Sequence, residues 1–214
     1  MLENIKLTFE FSKEQEVARV VSTIKRLGWY RSKGYSTEVL AFPAGIDLNN
    51  IEEISELDIE KAIETEYNPD KYKSTVESME QLYLLYEPKL TKFIKSLNVP
   101  VIPKILVNLT IYGIAGSYSL PNRVIVNISK FYSIGLLRNI LHEIIHLHIE
   151  FFVEKYQIGQ WEKESITNML FESAFPEIHK KNKNLLEEKD LKNIETIYRE
   201  NFPNIEKIIS LIPG

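Results

Sequence analysis

The longest apolar stretch of the chain, Ile140 to Val153, is interrupted by His142, Glu143, His146, His148 and Glu150. Polar groups at that density cannot cross a bilayer, so the segment reads as a buried helix of a globular protein. The sequence holds only four histidines, at 142, 146, 148 and 179, and three of them sit in this one segment. Residues at i and i+4 are neighbours on a helix, so His142 and His146 can present two imidazole nitrogens to one ion. The intervening Ile144 and Ile145 turn the other side of the helix toward a core. Glu143 follows the first histidine and can reach a water on that ion without being a ligand. A zinc-bound water has its pKa drawn down to about 7, so a carboxylate base suffices to make the nucleophile.

Composition narrows the remaining options. With 214 residues, 44% hydrophobic content and no cysteine, the chain is expected to form one or two ordinary globular domains. The missing cysteine removes thiol nucleophiles and cysteine-based zinc sites and agrees with a reducing compartment. The first residues lack the basic and apolar regions of a secretory signal, so a cytoplasmic protein is expected. A net charge of -4 offers no general attraction to nucleic acid or to an anionic membrane, and neither is expected as a partner.

Along the chain, Ile5, Leu7, Phe9 and Phe11 alternate with polar residues as a half-buried strand. Ser12 and Gln15 then form a capping box for a helix whose stripe is Val17, Val20, Val21, Ile24 and Leu27, with Gly28 as its expected C-terminal cap. Trp29 to Phe42, turning near Gly34, reads as a hairpin. Short helices are expected from about Asn49 to Ala62, and Asn68 with Pro69 starts a stronger helix that Pro88 should interrupt. Residues 98–103, with Pro100 and Pro103, mark the expected boundary between an N-terminal α/β region, 1–99, and a second domain, 100–214. In that second domain, Ile105 to Ile111 and Val124 to Ile128 alternate as two strands around a loop at 113–122. From Ser129 onward the pattern is helical, with breaks near Gly159, Pro176 and Pro203. The expected class is α+β.

A catalytic zinc ion (Zn2+) takes three protein ligands and keeps one position open. Glu164 is the favoured third ligand, on a second helix past a turn at Gln157 to Gln160. Glu162 is its rival, but Glu162 faces elsewhere and has Ile166 at i+4. Asn168, one turn after Glu164, could accept a hydrogen bond from the far nitrogen of a ligand histidine. Glu172 and Glu150 read as solvated or supporting acids. His148 is about 160° around the helix from His146, so it cannot join the same metal.

His142-Glu143-Ile-Ile-His146, followed by Glu164 and Asn168, resembles the gluzincin zinc metallopeptidases over about residues 102–175. The resemblance implies a zincin-like fold with a small mixed sheet and an active-site helix. It implies zinc on His142, His146 and Glu164, with Glu143 as general base and proton shuttle. That family often carries aspartate where this chain has Asn168; asparagine there, with Pro176 after it, resembles the regulator-cleaving peptidases of prokaryotes. By the same likeness His179 or Tyr198 would donate to the developing oxyanion, and an edge strand, placed at Val124, Val126 and Ile128, would pair with an extended peptide. The expected activity is therefore hydrolysis of a peptide or protein substrate. Two rivals stand beside it: a non-catalytic or regulatory metal-binding module, and a metal-dependent hydrolase of a non-peptide substrate.

Overall fold

The computed structural model describes residues 4–46, 54–180 and 186–212. Among them are eight α-helices and one four-stranded mixed sheet, an α+β architecture. The sheet has strand order β1 (Lys6–Glu10), β2 (Lys104–Thr110), β4 (Arg123–Asn127), β3 (Gly116–Ser119). β1 and β4 both run parallel to β2, and β3 is antiparallel to β4. The alternating apolar faces seen in sequence are the cause: Ile105, Val107, Val124 and Val126 are all fully buried on one side of the sheet.

Helix α5 (Ile134–Tyr156) packs on that side against β3 and β4, and α6 (Gln160–Ala174) runs back along it. The isoleucines of α5 close the core, with Ile140, Ile144, Ile145 and Ile149 each at 0% exposure. α4 (Pro69–Ser96), α7 (Glu188–Asn201) and α8 (Ile205–Ser210) complete this core. α4 begins where expected, with Asn68 accepting the Asp70 N–H. It continues through Pro88, because Tyr83, Leu90 and Ile94 on either side are buried in the common core.

α1 (Lys13–Lys25) starts at Ser12, whose Oγ accepts the Gln15 N–H. It ends before the position expected, so Gly28 lies inside a separate short helix, α2 (Leu27–Ser32), rather than capping the first. The hairpin expected over Trp29 to Phe42 does not form. α2, a turn at Gly34 and a 3-10 turn at Thr37–Val39 take its place. Trp29, Tyr30 and Tyr35 pack on one another, and Tyr30 and Tyr35 on Leu27 and Leu40, rather than across a strand pair. α3 (Glu56–Glu66) covers the later part of the helical segment expected after Asn49, whose start lies outside the described residues.

Residues 98–103 do separate α4 from β2, but β1 pairs with β2 across that point. Ile5, Tyr72, Met79 and Leu90 share one buried cluster with Ile105, Leu136 and Ile144. The regions 1–99 and 100–214 thus share a sheet and a core.

The peptide-pairing edge expected at Val124, Val126 and Ile128 is corrected. β4 is interior, bonded to β2 on one side and β3 on the other, and Val124 and Val126 are fully buried. The free edge on the α5 side is β3. Alternation reveals that a segment is a strand with one apolar face, but not which neighbours it has. β3, Gly-Ser-Tyr-Ser, carries no apolar alternation and read as part of the loop.

Among the described residues, no helix is long and apolar enough to cross a membrane.

Candidate metal centre

α5 and α6 bring His142, His146 and Glu164 together. His142 Nε2 and His146 Nε2 are 3.1 Å apart, and each lies 3.4 Å from Glu164 Oε2. Ligand atoms held about 2.0–2.1 Å from a tetrahedral zinc ion stand about 3.3 Å from one another. The triangle therefore has the dimensions of one face of such a site, which leaves the fourth corner open. Among the described residues this is the sole group of three potential ligands.

The tautomer of His146 follows from counting protons. Thr167 Oγ1 donates its one proton to Lys163 O at 2.9 Å and so can only accept at His146 Nδ1, 3.1 Å away. His146 Nδ1 thus carries the hydrogen, and Nε2 presents a bare lone pair to the triangle. Asn168 was the residue expected to fix a ligand histidine; for His146 that role falls to Thr167, and Asn168 lines the adjoining cavity. On the other side of the triangle, Gln160 Nε2 donates to Glu164 Oε1 at 2.9 Å, which leaves Oε2 to face the histidines. Gln160 and Glu164 are one helical turn apart, so this pair was present in the sequence as an i, i+4 spacing.

Tyr118 of β3 forms a second layer. Its ring stacks on His146 with centroids 5.2 Å apart and planes 11° from parallel. The Tyr118 hydroxyl donates to Glu150 Oε2 at 2.6 Å and accepts from Lys163 Nζ at 2.9 Å. Glu150, which the sequence suggests as a solvated or supporting acid, is thereby tied to the ring that covers His146. Neither Tyr118 nor Thr167 carries a sequence signal for this role, because each meets His146 only through the tertiary packing.

Glu143 lies against the free edge. A Cβ at position 116 would stand 2.5 Å from Glu143 Oε1 and 2.7 Å from Asn139 Nδ2, so only glycine lets β3 come this close. Asn139 Nδ2 donates to Ala115 O at 2.7 Å and ties α5 to the same strand. Asn127 N–H bonds Ala115 O on the β4 side. By the alternation of an antiparallel ladder, the main-chain groups of Gly116 and Tyr118 then point away from β4.

Burial and charge set the protonation states. Burial pushes the Glu143 carboxyl up to about 7, with the His142 charge opposing and the Glu164 charge adding to it. Burial takes His146 down to about 4 against the pull of Glu164. Burial also acts on Glu164 and His142, but it is outweighed: the His146 charge, then hydrogen bonds with both histidines, hold Glu164 well below the usual carboxylate range, and the Glu164 hydrogen bond with the Glu143 and Glu164 charges raises His142.

A cavity of about 690 Å³ opens over these residues. Its wall includes His142, Glu143, Glu164, Asn168 and His179, together with Tyr35, Trp161 and Phe171. Tyr35 comes from the N-terminal region, whose part in the site had no sequence signal. The Tyr35 hydroxyl is 3.4 Å from Gln160 Nε2, and burial with the nearby Glu164 charge pushes it up to about 12. His179 reaches the cavity, as an oxyanion donor would have to. Tyr198 does not: it is buried between α7 and α6, with its hydroxyl on Ser173 Oγ at 2.8 Å and Met169 O at 3.3 Å. The family likeness suggests it as a downstream tyrosine, and packing turns it the other way.

His148 has a structural task. Its Nδ1–H donates to Ile144 O at 2.7 Å and its Nε2 accepts the Ile102 N–H at 3.2 Å. Burial lowers its pKa, which keeps the imidazole neutral and the segment before β2 fastened to α5.

No family model matches the chain, and no curated protein or solved structure does so either.

Proposed function

We propose that the chain is a zinc-dependent peptidase of the gluzincin kind, with a zincin-like arrangement of α5, α6 and the sheet. The observation that carries this reading is the three-atom triangle of His142, His146 and Glu164, with Glu143 beside it against a free strand edge. The same three residues would hold the zinc ion. When bound, zinc supplies Lewis acidity at the open corner, polarising a carbonyl and acidifying water.

The chain's own residues account for the rest. Glu143, poised near neutrality, takes a proton from the attacking water and returns it to the amide nitrogen as the C–N bond breaks. The outward main-chain groups of Gly116 and Tyr118 receive an extended peptide as an added strand, which is what favours a peptide over another hydrolysable substrate. Tyr35 and His179, both on the cavity wall, would donate to the developing oxyanion. A purely structural zinc site would need a fourth protein ligand. Among the described residues none joins the triangle, and Glu150 is engaged by Tyr118.

The test is metal analysis of the wild type and of Glu143→Gln, with cleavage of a peptide library by each. Zinc near one equivalent in both, and cleavage by the wild type alone, is the expected result. Wild type without zinc, or equal cleavage by both, refutes the mechanism.

A further inference from the structure

The charges around the cavity that the proposed chemistry does not use are mostly positive. Arg138, Lys130 and Lys180 line it, against the single additional acid Glu38, which is exposed. Arg138 stands apart from the other two by its position. It lies four residues before His142 on α5, and His146 lies four after, so the three form one stripe along the helix, of which Arg138 and His142 line the cavity. Lys130 is occupied in part by the carbonyl of Val39, and Lys180 is exposed. Arg138 is half-buried, and among the described residues no carboxylate pairs with it.

A half-buried guanidinium facing a cavity with no anion beside it has bidentate donors to offer, and a carboxylate matches their geometry. Four residues of helix advance about 6 Å, and an extended peptide advances about 3.3 Å per residue. The guanidinium therefore serves a group about two residues from the scissile bond.

We infer that Arg138 forms a carboxylate subsite, so that the peptide substrate carries an acidic side chain or its own C-terminus within two residues of the cleaved bond. This rests on the peptidase reading above and names the substrate class of that site. The subsite also gives a direction to the bound peptide: its negative group lies toward the N-terminal part of α5, where Arg138 precedes His142.

The experiment uses zinc-loaded Glu143→Gln protein, which binds without turning over. It is immobilised and offered N-acetylated hexapeptide libraries, one with amidated and one with free C-termini, and retained peptides are read by mass spectrometry. Enrichment of Asp and Glu of about tenfold in the amidated library assigns the subsite to a side chain. Enrichment of free C-termini without side-chain preference assigns it to the terminal carboxylate. In either case Arg138→Gln in the same background should abolish the enrichment, and Arg138→Lys should restore part of it, with zinc content and circular dichroism unchanged. Retention without acid preference, preference unaffected by Arg138→Gln, or no retention of any peptide overturns the inference. Retained peptides that the wild type fails to cleave would instead refute the peptidase reading and leave the carboxylate subsite standing.

Discussion

Glu16 on α1 and Glu143 on α5 are both buried glutamates, and burial raises the pKa of each. Their surroundings differ. Glu16 accepts from the Tyr72 hydroxyl, the Thr110 hydroxyl and the Ile111 N–H, so it joins α1, α4 and the end of β2. Glu143 receives no hydrogen bond from the described residues, and its carboxylate faces a cavity beside three potential metal ligands. A buried acid whose oxygens are satisfied by the fold is a structural joint. One left open toward a cavity has its acceptor capacity in reserve for a reactant.

Substitution should separate the two most sharply in catalysis. Glu143→Gln is expected to lower kcat by about 10²–10⁴-fold, the range of general-base contributions, while thermal stability and zinc content hold. Peptide turnover beside a melting curve checks this, and a variant that unfolds would put Glu143 in the same class as Glu16. The reverse pattern is expected of Glu16→Ala. Two buried donors and the part-buried Ile111 N–H lose their acceptor, at about 1–3 kcal/mol for each buried one, so the chemical-denaturation midpoint should fall steeply while any folded fraction still binds zinc.

Smaller effects sharpen the contrast around the metal triangle. Thr167→Val removes the acceptor that fixes His146, and zinc affinity should drop about 10–100-fold in a competitive chelator titration. Unchanged affinity would mean that the ring is held by Tyr118 stacking alone. Gly116→Ala should leave zinc in place but push Glu143 or β3 aside, with a loss in kcat of about tenfold or more. An alanine variant with full turnover would show that β3 is not pressed on the base.

The smallest effect is in pH dependence. Burial raises the Glu16 pKa above its unfolded value against the hydrogen bonds that lower it, so the folded state favours the protonated acid. The stability this contributes is fully present below the unfolded value of about 4.3 and is lost as pH rises through the folded one. Urea midpoints of wild type against Glu16→Gln, which does not titrate at that position, should therefore favour the wild type increasingly as pH falls from 7 toward 4. A flat or opposite difference would mean that the three donors outweigh desolvation.

The sequence by itself determined what short-range periodicity can carry. The i, i+4 spacing of His142 and His146 with isoleucines between them fixes a helix with a histidine face and a core face, and Glu164 follows at the distance a turn and a second helix require. Alternation in Ile105 to Ile111 and Val124 to Ile128 likewise specified two strands, which lie in the sheet over Lys104–Thr110 and Arg123–Asn127. Tertiary structure decided which segments became neighbours. It placed β4 inside the sheet and β3 at the edge, brought Tyr35 from the N-terminal region to the cavity, and gave His146 Nδ1 to Thr167. It also turned Tyr198 away and closed Glu16 with donors from two distant elements. Helical and strand periods record which face of a segment is apolar, whereas strand order and the pairing of one donor with one acceptor arise from contacts between residues far apart in the chain.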